Sequence, residues 1–363
     1  MSREPGGSPL SKPVDLVLHI GTGKTGTSSV QFFLRENRDR LLELGHLYPK
    51  SPGGARHGKL SLFVKSDEEL QSAPNWYRQK ERDPAQFRKT FRRRLFAEIE
   101  SAGAPRVILS DEVLYGCSDA ALRRLRRFTD RIAGSLRLVV YLRRQDEQMV
   151  SRYQQMVKTG EVRRLDEWAQ QDMANIYDYS ARLRTWQALL EPTAFVVRRF
   201  ERDRFAAGSL HQDFLDAVCV DVSAEELEPV PDRNESLDAE SVEFLRLVNL
   251  HRVENEGARV GVIDNRKLVR RLAEETAGPT VTLPDRVLDE FMSQWEESNR
   301  AVARGFLHDG TGQLFRTPRR TANSTTEQRL DPARLDHFLT VSGLPEEVHA
   351  PLRGIAEREA RLQ

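Results

Sequence analysis

Cysteine is nearly absent from this 363-residue chain: only Cys117 and Cys219 occur. Two cysteines cannot build a disulfide scaffold or a Cys-based zinc site, and a buried thiol is the default reading for each. No run of about 18 apolar residues exists, so no membrane-spanning helix is expected. The opening MSREPGGSPLSKP lacks an apolar signal core and reads as a flexible tail over residues 1–13, of a cytoplasmic protein. Charge of one sign is also missing. The formal net charge is +1, which gives no global field toward nucleic acid or an anionic membrane. There is no internal repeat and no convincing metal-ligand spacing. What is present suits a folded protein: 39% hydrophobic and 31% charged residues, enough for one large core. Most of the 56 basic residues are arginine, a bias read as a GC-rich bacterial genome.

The chain is organised around DLVLHIGTGKTGTSSVQFFL, Asp15 to Leu34. Leu16 to Ile20 reads as a short buried strand. Gly21 to Ser29 is a turn of small residues, and Val30, Phe33, Leu34, Leu41 and Leu44 recur at helical spacing. A strand, a Gly-rich turn and a helix start form an anion cradle, because unpaired N–H groups and the helix dipole both favour negative charge. Lys24 adds a point charge. Thr25, Thr27, Ser28 and Ser29 add hydroxyls, and Gly26 lets the backbone approach. A phosphate is the expected ligand. The triphosphatase pattern G-x-x-x-x-G-K-[ST] fits Gly23-Lys24-Thr25, but its first glycine falls on Leu18, inside the strand.

Three further buried strands are expected at Arg106–Ser110, Leu136–Leu142 and Ala194–Phe200. Amphipathic helices lie between them, at Phe87–Glu100, around Leu122–Phe128, Gln145–Lys158 and Asp178–Leu190. This alternation predicts an α/β fold with a parallel central sheet flanked by helices. Ligands of such sheets bind beyond the carboxyl ends of the strands. The turn at 21–29, Asp111–Glu112 and Arg143–Arg144 all fall at that edge. From Leu237 onward the pattern is mostly helical. The expected organisation is one α/β domain over 14–305, a linker at 306–331 and C-terminal helices over 332–363.

The order strand, Lys24, Thr-Gly-Thr-Ser-Ser, helix resembles the loop by which sulfotransferases hold the 5′-phosphosulfate of 3′-phosphoadenosine-5′-phosphosulfate (PAPS). Arg143 and Ser151, eight residues apart across LRRQDEQMVSRY, resemble that family's pair for the 3′-phosphate; a planar cation and a hydroxyl suit a dianion. HIGTGKTGTSS, VILSDE, Tyr179, Leu183, Trp186, Phe200-Glu201 and Asn234-Glu235-Ser236-Leu237 also look like bacterial members. The resemblance covers residues 14 to 240 and fades in the C-terminal third. The proline that commonly precedes the lysine is replaced by Gly23.

The resemblance implies a P-loop-like sheet and a metal-independent enzyme that moves the sulfuryl group of PAPS to a hydroxyl or amine. It assigns Lys24 to the leaving phosphate's charge, Thr25, Gly26, Thr27, Ser28 and Ser29 to the 5′-phosphate, and Arg143 with Ser151 to the 3′-phosphate. Glu112, at a strand end, is the first candidate for the base. His57, in an Arg-His-Gly turn of a Gly-rich loop, is the second, and His19 reads as a core histidine. A carbohydrate, a glycolipid or a small natural product is the expected acceptor, and a homodimer is a further expectation. Two other classes stay open: a divergent kinase or NTPase using Asp111 for magnesium, and a non-catalytic nucleotide-binding scaffold.

Overall fold

A computed structural model describes residues 10–231, 236–320 and 322–361. The chain forms two compact units, each assembled from three segments. The first holds Met1–Arg144, Ala174–Asp232 and Trp295–Thr317; the second holds Gln145–Met173, Arg233–Gln294 and Pro318–Gln363.

The first unit is built on a parallel sheet of β1 (Val14–His19), β2 (His46–Leu47), β3 (Arg106–Ser110), β4 (Ala133–Leu142) and β5 (Ala194–Arg199). Their spatial order is β2-β3-β1-β4-β5, so the fold is α/β as its pattern implied. Side chains alternate across the strands, and both faces are covered. Leu16 and Leu18 of β1, Val107 and Leu109 of β3, and Leu138 and Val140 of β4 pack with helices Pro84–Ala102, Asp119–Thr129 and Tyr179–Leu190. Val17, Ile108, Val139 and Tyr141 face the other way, onto helices Thr27–Glu36 and Leu210–Val218. Burial on both faces explains why these strands read as continuous apolar runs. Each buried Leu or Phe contributes about 2 kcal/mol.

Local chemistry sets the helix ends. Asp83 caps Pro84–Ala102 by accepting the Gln86 N–H at 2.6 Å, and the helix stops at Gly103, φ 62°. Asn37 closes the first helix, donating from its side chain to the Phe33 carbonyl at 2.9 Å. The chain leaves β1 for the far edge, returns beside it as β3, then crosses to its other side as β4. The switch in direction therefore flanks β1, where open α/β sheets bind ligands.

Two segments differ from their sequence-based description. Within the expected tail, residues 1–9 lie outside the described residues, while Leu10 is buried and its N–H donates to the Arg131 carbonyl at 3.1 Å. The stretch 306–331, read as a linker, is anchored to the first unit near its start. Leu314 and Phe315 are buried in the core of the first unit. Arg199 of β5 donates to the Leu314 carbonyl at 2.6 Å and to Asp309 at 2.6 Å. Hydrogen bonds from Thr311, Arg316 and Arg199 hold the Asp309 carboxyl well below its usual range.

The second unit is mostly helical. Its helix Ala239–Glu256 is buried on all sides over its first three turns. Within it Arg246 and Glu243 are both buried, and Arg246 also donates to Glu359 at 2.8 Å. A two-stranded parallel ribbon, β6 (Thr280–Val281) with β7 (Ser324–Thr325), completes it. Arg319 gathers Asp146, Asp285 and Asp289 at 2.8, 2.8 and 2.5 Å. No helix among the described residues is long and apolar enough to cross a membrane.

Candidate functional site

The loop after β1 is fixed to both neighbouring strands. The Ile20 and Thr22 N–H groups donate to the Val139 and Tyr141 carbonyls at 3.0 and 2.9 Å, and Tyr141 N–H donates back to Gly21 at 2.7 Å. On the other side Asp111 N–H donates to the His19 carbonyl at 3.0 Å. The chain then turns through left-handed conformations at Lys24, φ 67°, and Gly26, φ 69°. For a lysine that conformation costs on the order of 1 kcal/mol, so packing must hold it. Helix Thr27–Glu36 starts at Gly26 with no side-chain cap and no acidic residue in its first turn. Its leading N–H groups have no partner within the helix. Lys24 is half-buried beside them.

The hydroxyls divide. Thr25 is buried and donates to the Thr22 carbonyl at 2.5 Å, so its hydrogen is committed within the loop and its backbone is what it offers a ligand. Thr27 is buried and Ser28 exposed. Ser29 Oγ lies 2.9 Å from His211 Nε2, and the His211 ring stacks on Phe33 with centroids 4.3 Å apart. Arg143, just past β4, reaches back to this loop and donates to the Lys24 carbonyl at 3.1 Å. Its guanidinium lies 5.7 Å from the centre of the Phe200 ring, and Tyr179 donates to its carbonyl at 2.7 Å. Arg144 is half-buried. Ser151 lies on helix Gln145–Val157, which belongs to the second unit, and is half-buried. Asn234 and Glu235 lie outside the described residues.

Glu112 follows β3 and packs against the loop. A Cβ on Gly21 would stand 3.0 Å from Glu112 Cβ, so only glycine allows this approach. One Glu112 oxygen accepts from Gln31 at 2.8 Å and the other from Arg56 at 3.1 Å. Neighbouring Asp111 is wholly buried. Burial pushes its carboxyl up to about 6 against the opposing pull of Arg56. It pairs with Arg56 at 3.3 Å and accepts the Ser61 and Val113 N–H groups at 3.0 and 3.2 Å.

His57 departs from its expected role. It is fully buried, its Nδ1 accepts the Ser110 N–H at 3.1 Å, and its Nε2 donates to the Pro49 carbonyl at 2.9 Å. Both nitrogens are engaged in the neutral ring, and burial lowers it to about 3. It holds the 49–58 loop to β3 and is no base for a substrate. His19 is a buried histidine, as read, and shares a 2.8 Å hydrogen bond with Ser110; burial lowers it to about 4.

Arg56, Gln31 and His211 are the site residues that sequence reasoning missed. Each meets its partner across 56, 81 or 182 positions of chain, and none belongs to a short-range pattern.

No protein-family model matches the chain, and no solved structure matches it. It is similar to an uncharacterised protein of Archaeoglobus fulgidus, with 28% identity over 216 residues. That alignment covers 58% of this chain and 55% of the archaeal protein, so the chain matches little more than half of its relative. Among the described residues no group of three or more His, Cys, Asp or Glu is placed to hold a metal ion.

Proposed function

We propose that the chain is a sulfotransferase that moves the sulfuryl group of PAPS to a hydroxyl or amine acceptor. The observation that carries this reading is the 3.1 Å hydrogen bond from Arg143 to the Lys24 carbonyl. The arginine that the resemblance gives to one end of the nucleotide reaches the backbone of the loop that carries the lysine it gives to the other end. An uncapped helix start without acidic residues adds donors for the 5′-phosphate and fits a phosphorylated ligand.

When bound, PAPS supplies the sulfuryl group and a phosphate leaving group for in-line displacement, a reaction class governed by positioning and charge stabilisation. Lys24 neutralises charge at the leaving oxygen. The backbone of Thr25 and Gly26 and the first turn from Thr27 to Ser29 hold the 5′-phosphate, and Arg143 holds the 3′-phosphate. Glu112, oriented from two sides, accepts the acceptor's proton. Asp111, which a magnesium-dependent kinase or NTPase would need, is buried under three donors; that favours the transferase reading.

Calorimetry with adenosine 3′,5′-bisphosphate tests the proposal. Tight, metal-independent binding is expected, weakened about tenfold or more by Lys24→Ala and by Arg143→Ala, since each removes a charge-assisted contact. AMP binding as tightly as the bisphosphate would overturn it. Transfer of labelled sulfate across a panel of sugars and phenols separates an enzyme from a scaffold. Glu112→Gln should lower kcat by about a hundredfold and leave bisphosphate affinity intact.

A further inference from the structure

We infer that Gln31 is a positioning residue that sets the orientation of Glu112 and joins it mechanically to the anion cradle. The inference rests on Glu112 serving as the base proposed above.

Gln31 is 2% exposed and lies on the helix that begins at the cradle, one turn beyond Thr27. Its amide nitrogen donates to Glu112 Oε2 at 2.8 Å and to Ser110 Oγ at 3.1 Å. A carboxylate only accepts hydrogen bonds, so chemistry alone settles which amide atom faces Glu112. Both amide hydrogens are thereby committed. Ser110 Oγ is held in turn by buried His19 at 2.8 Å, and Ser110 N–H by buried His57 at 3.1 Å. The chain of contacts from His19 through Ser110 and Gln31 ends on the carboxylate of Glu112, the residue whose Cβ lies 3.0 Å from where a Cβ on Gly21 would stand. Arg56 fixes the opposite oxygen at 3.1 Å. Two donors, one on each oxygen, define the carboxylate plane, and a base must be held within a fraction of an ångström to act. Gln31 is the donor on the element that also supplies the cradle's N–H groups, so a ligand seated there and the proton acceptor are held by one rigid helix.

Gln31→Met keeps length and removes the donors. In the full-length protein, kcat for sulfate transfer should fall about ten- to a hundredfold, with KM for PAPS and the Kd of adenosine 3′,5′-bisphosphate within about twofold of wild type. Crystal structures should show Glu112 in one rotamer in wild type and turned away, or in several conformers, in Gln31→Met. Glu112 unmoved in the variant would overturn the inference. So would a fall in bisphosphate affinity equal to the fall in kcat, which would make Gln31 a support of the helix alone. If wild type binds no bisphosphate, the sulfotransferase reading fails, while the rotamer comparison still decides whether Gln31 holds Glu112. Should Gln31→Met not fold, Gln31→Leu replaces it: the side chain stays apolar and the donors are lost, and Glu112 should again turn away or become multiply ordered.

Discussion

His57 shows how one residue changes meaning when its neighbours arrive. An Arg-His-Gly turn among glycines reads as an open loop, yet the ring satisfies the buried Ser110 N–H and Pro49 carbonyl, groups that cannot be left unpaired. The consequence is measurable. Burial lowers His57 to about 3 and His19 to about 4, whereas the unfolded chain takes up these protons near pH 6.5. The unfolded state therefore binds more protons below that pH. The stability these residues confer is full above about pH 7 and is lost as pH falls from 6.5 toward 4 for His19 and toward 3 for His57. At pH 5.5 the loss is on the order of 1 kcal/mol for each. Hydrogen exchange of β1 and β3 amides at pH 7.5 and 5.5, corrected for intrinsic rates, should show a smaller loss in His57→Gln than in wild type. Equal losses would refute the assignment. Gly26 is a second case. A Cβ there would sit 2.3 Å from Leu210 at a φ of 69°, so Gly26→Ala should cost on the order of 1 kcal/mol and weaken bisphosphate binding in calorimetry.

At the scale of elements, the sheet was the most legible part of the chain. β3 has the expected bounds, and β1, β4 and β5 lie within a few residues of theirs, because strands buried on both faces leave continuous apolar runs. Lys24, Glu112 and Arg143 were legible as positions at strand ends, since parallel strands present one common edge. Their supports were not: Gln31 and Arg56 converge on Glu112 only through folding. The segment after Phe306 reads as a linker because of its Gly, Thr and Pro content, while Leu314, Phe315 and the Asp309 carboxylate anchor its first part beside β5. Asp309→Asn should loosen this anchor. Tryptic cleavage after Arg316 should then accelerate about fivefold, as local opening grows easier; an unchanged rate would show that Leu314 and Phe315 suffice.

At the scale of the molecule, the interleaving of the two units left no trace in composition. Each unit draws on three stretches of chain, so neither is a contiguous fragment. Residues 1–232 alone lack Val302, Ala303, Leu314 and Phe315, which are buried in the first unit's core. Such a fragment should give a poorly dispersed amide spectrum and no cooperative melting, because several buried apolar side chains at about 2 kcal/mol each exceed a fair part of a domain's net stability. A sharp native-like spectrum from that fragment would contradict this.

The ladder that pins the loop after β1 to strands on both sides has a practical consequence. Donors that are already aimed need little reorganisation to capture an anion, and any small tetraoxyanion offers them suitable oxygens. Sulfate or phosphate buffer at millimolar strength should therefore occupy the cradle and compete with a nucleotide. Turnover sought in such buffers would be suppressed, and the same assay in chloride or acetate would recover it.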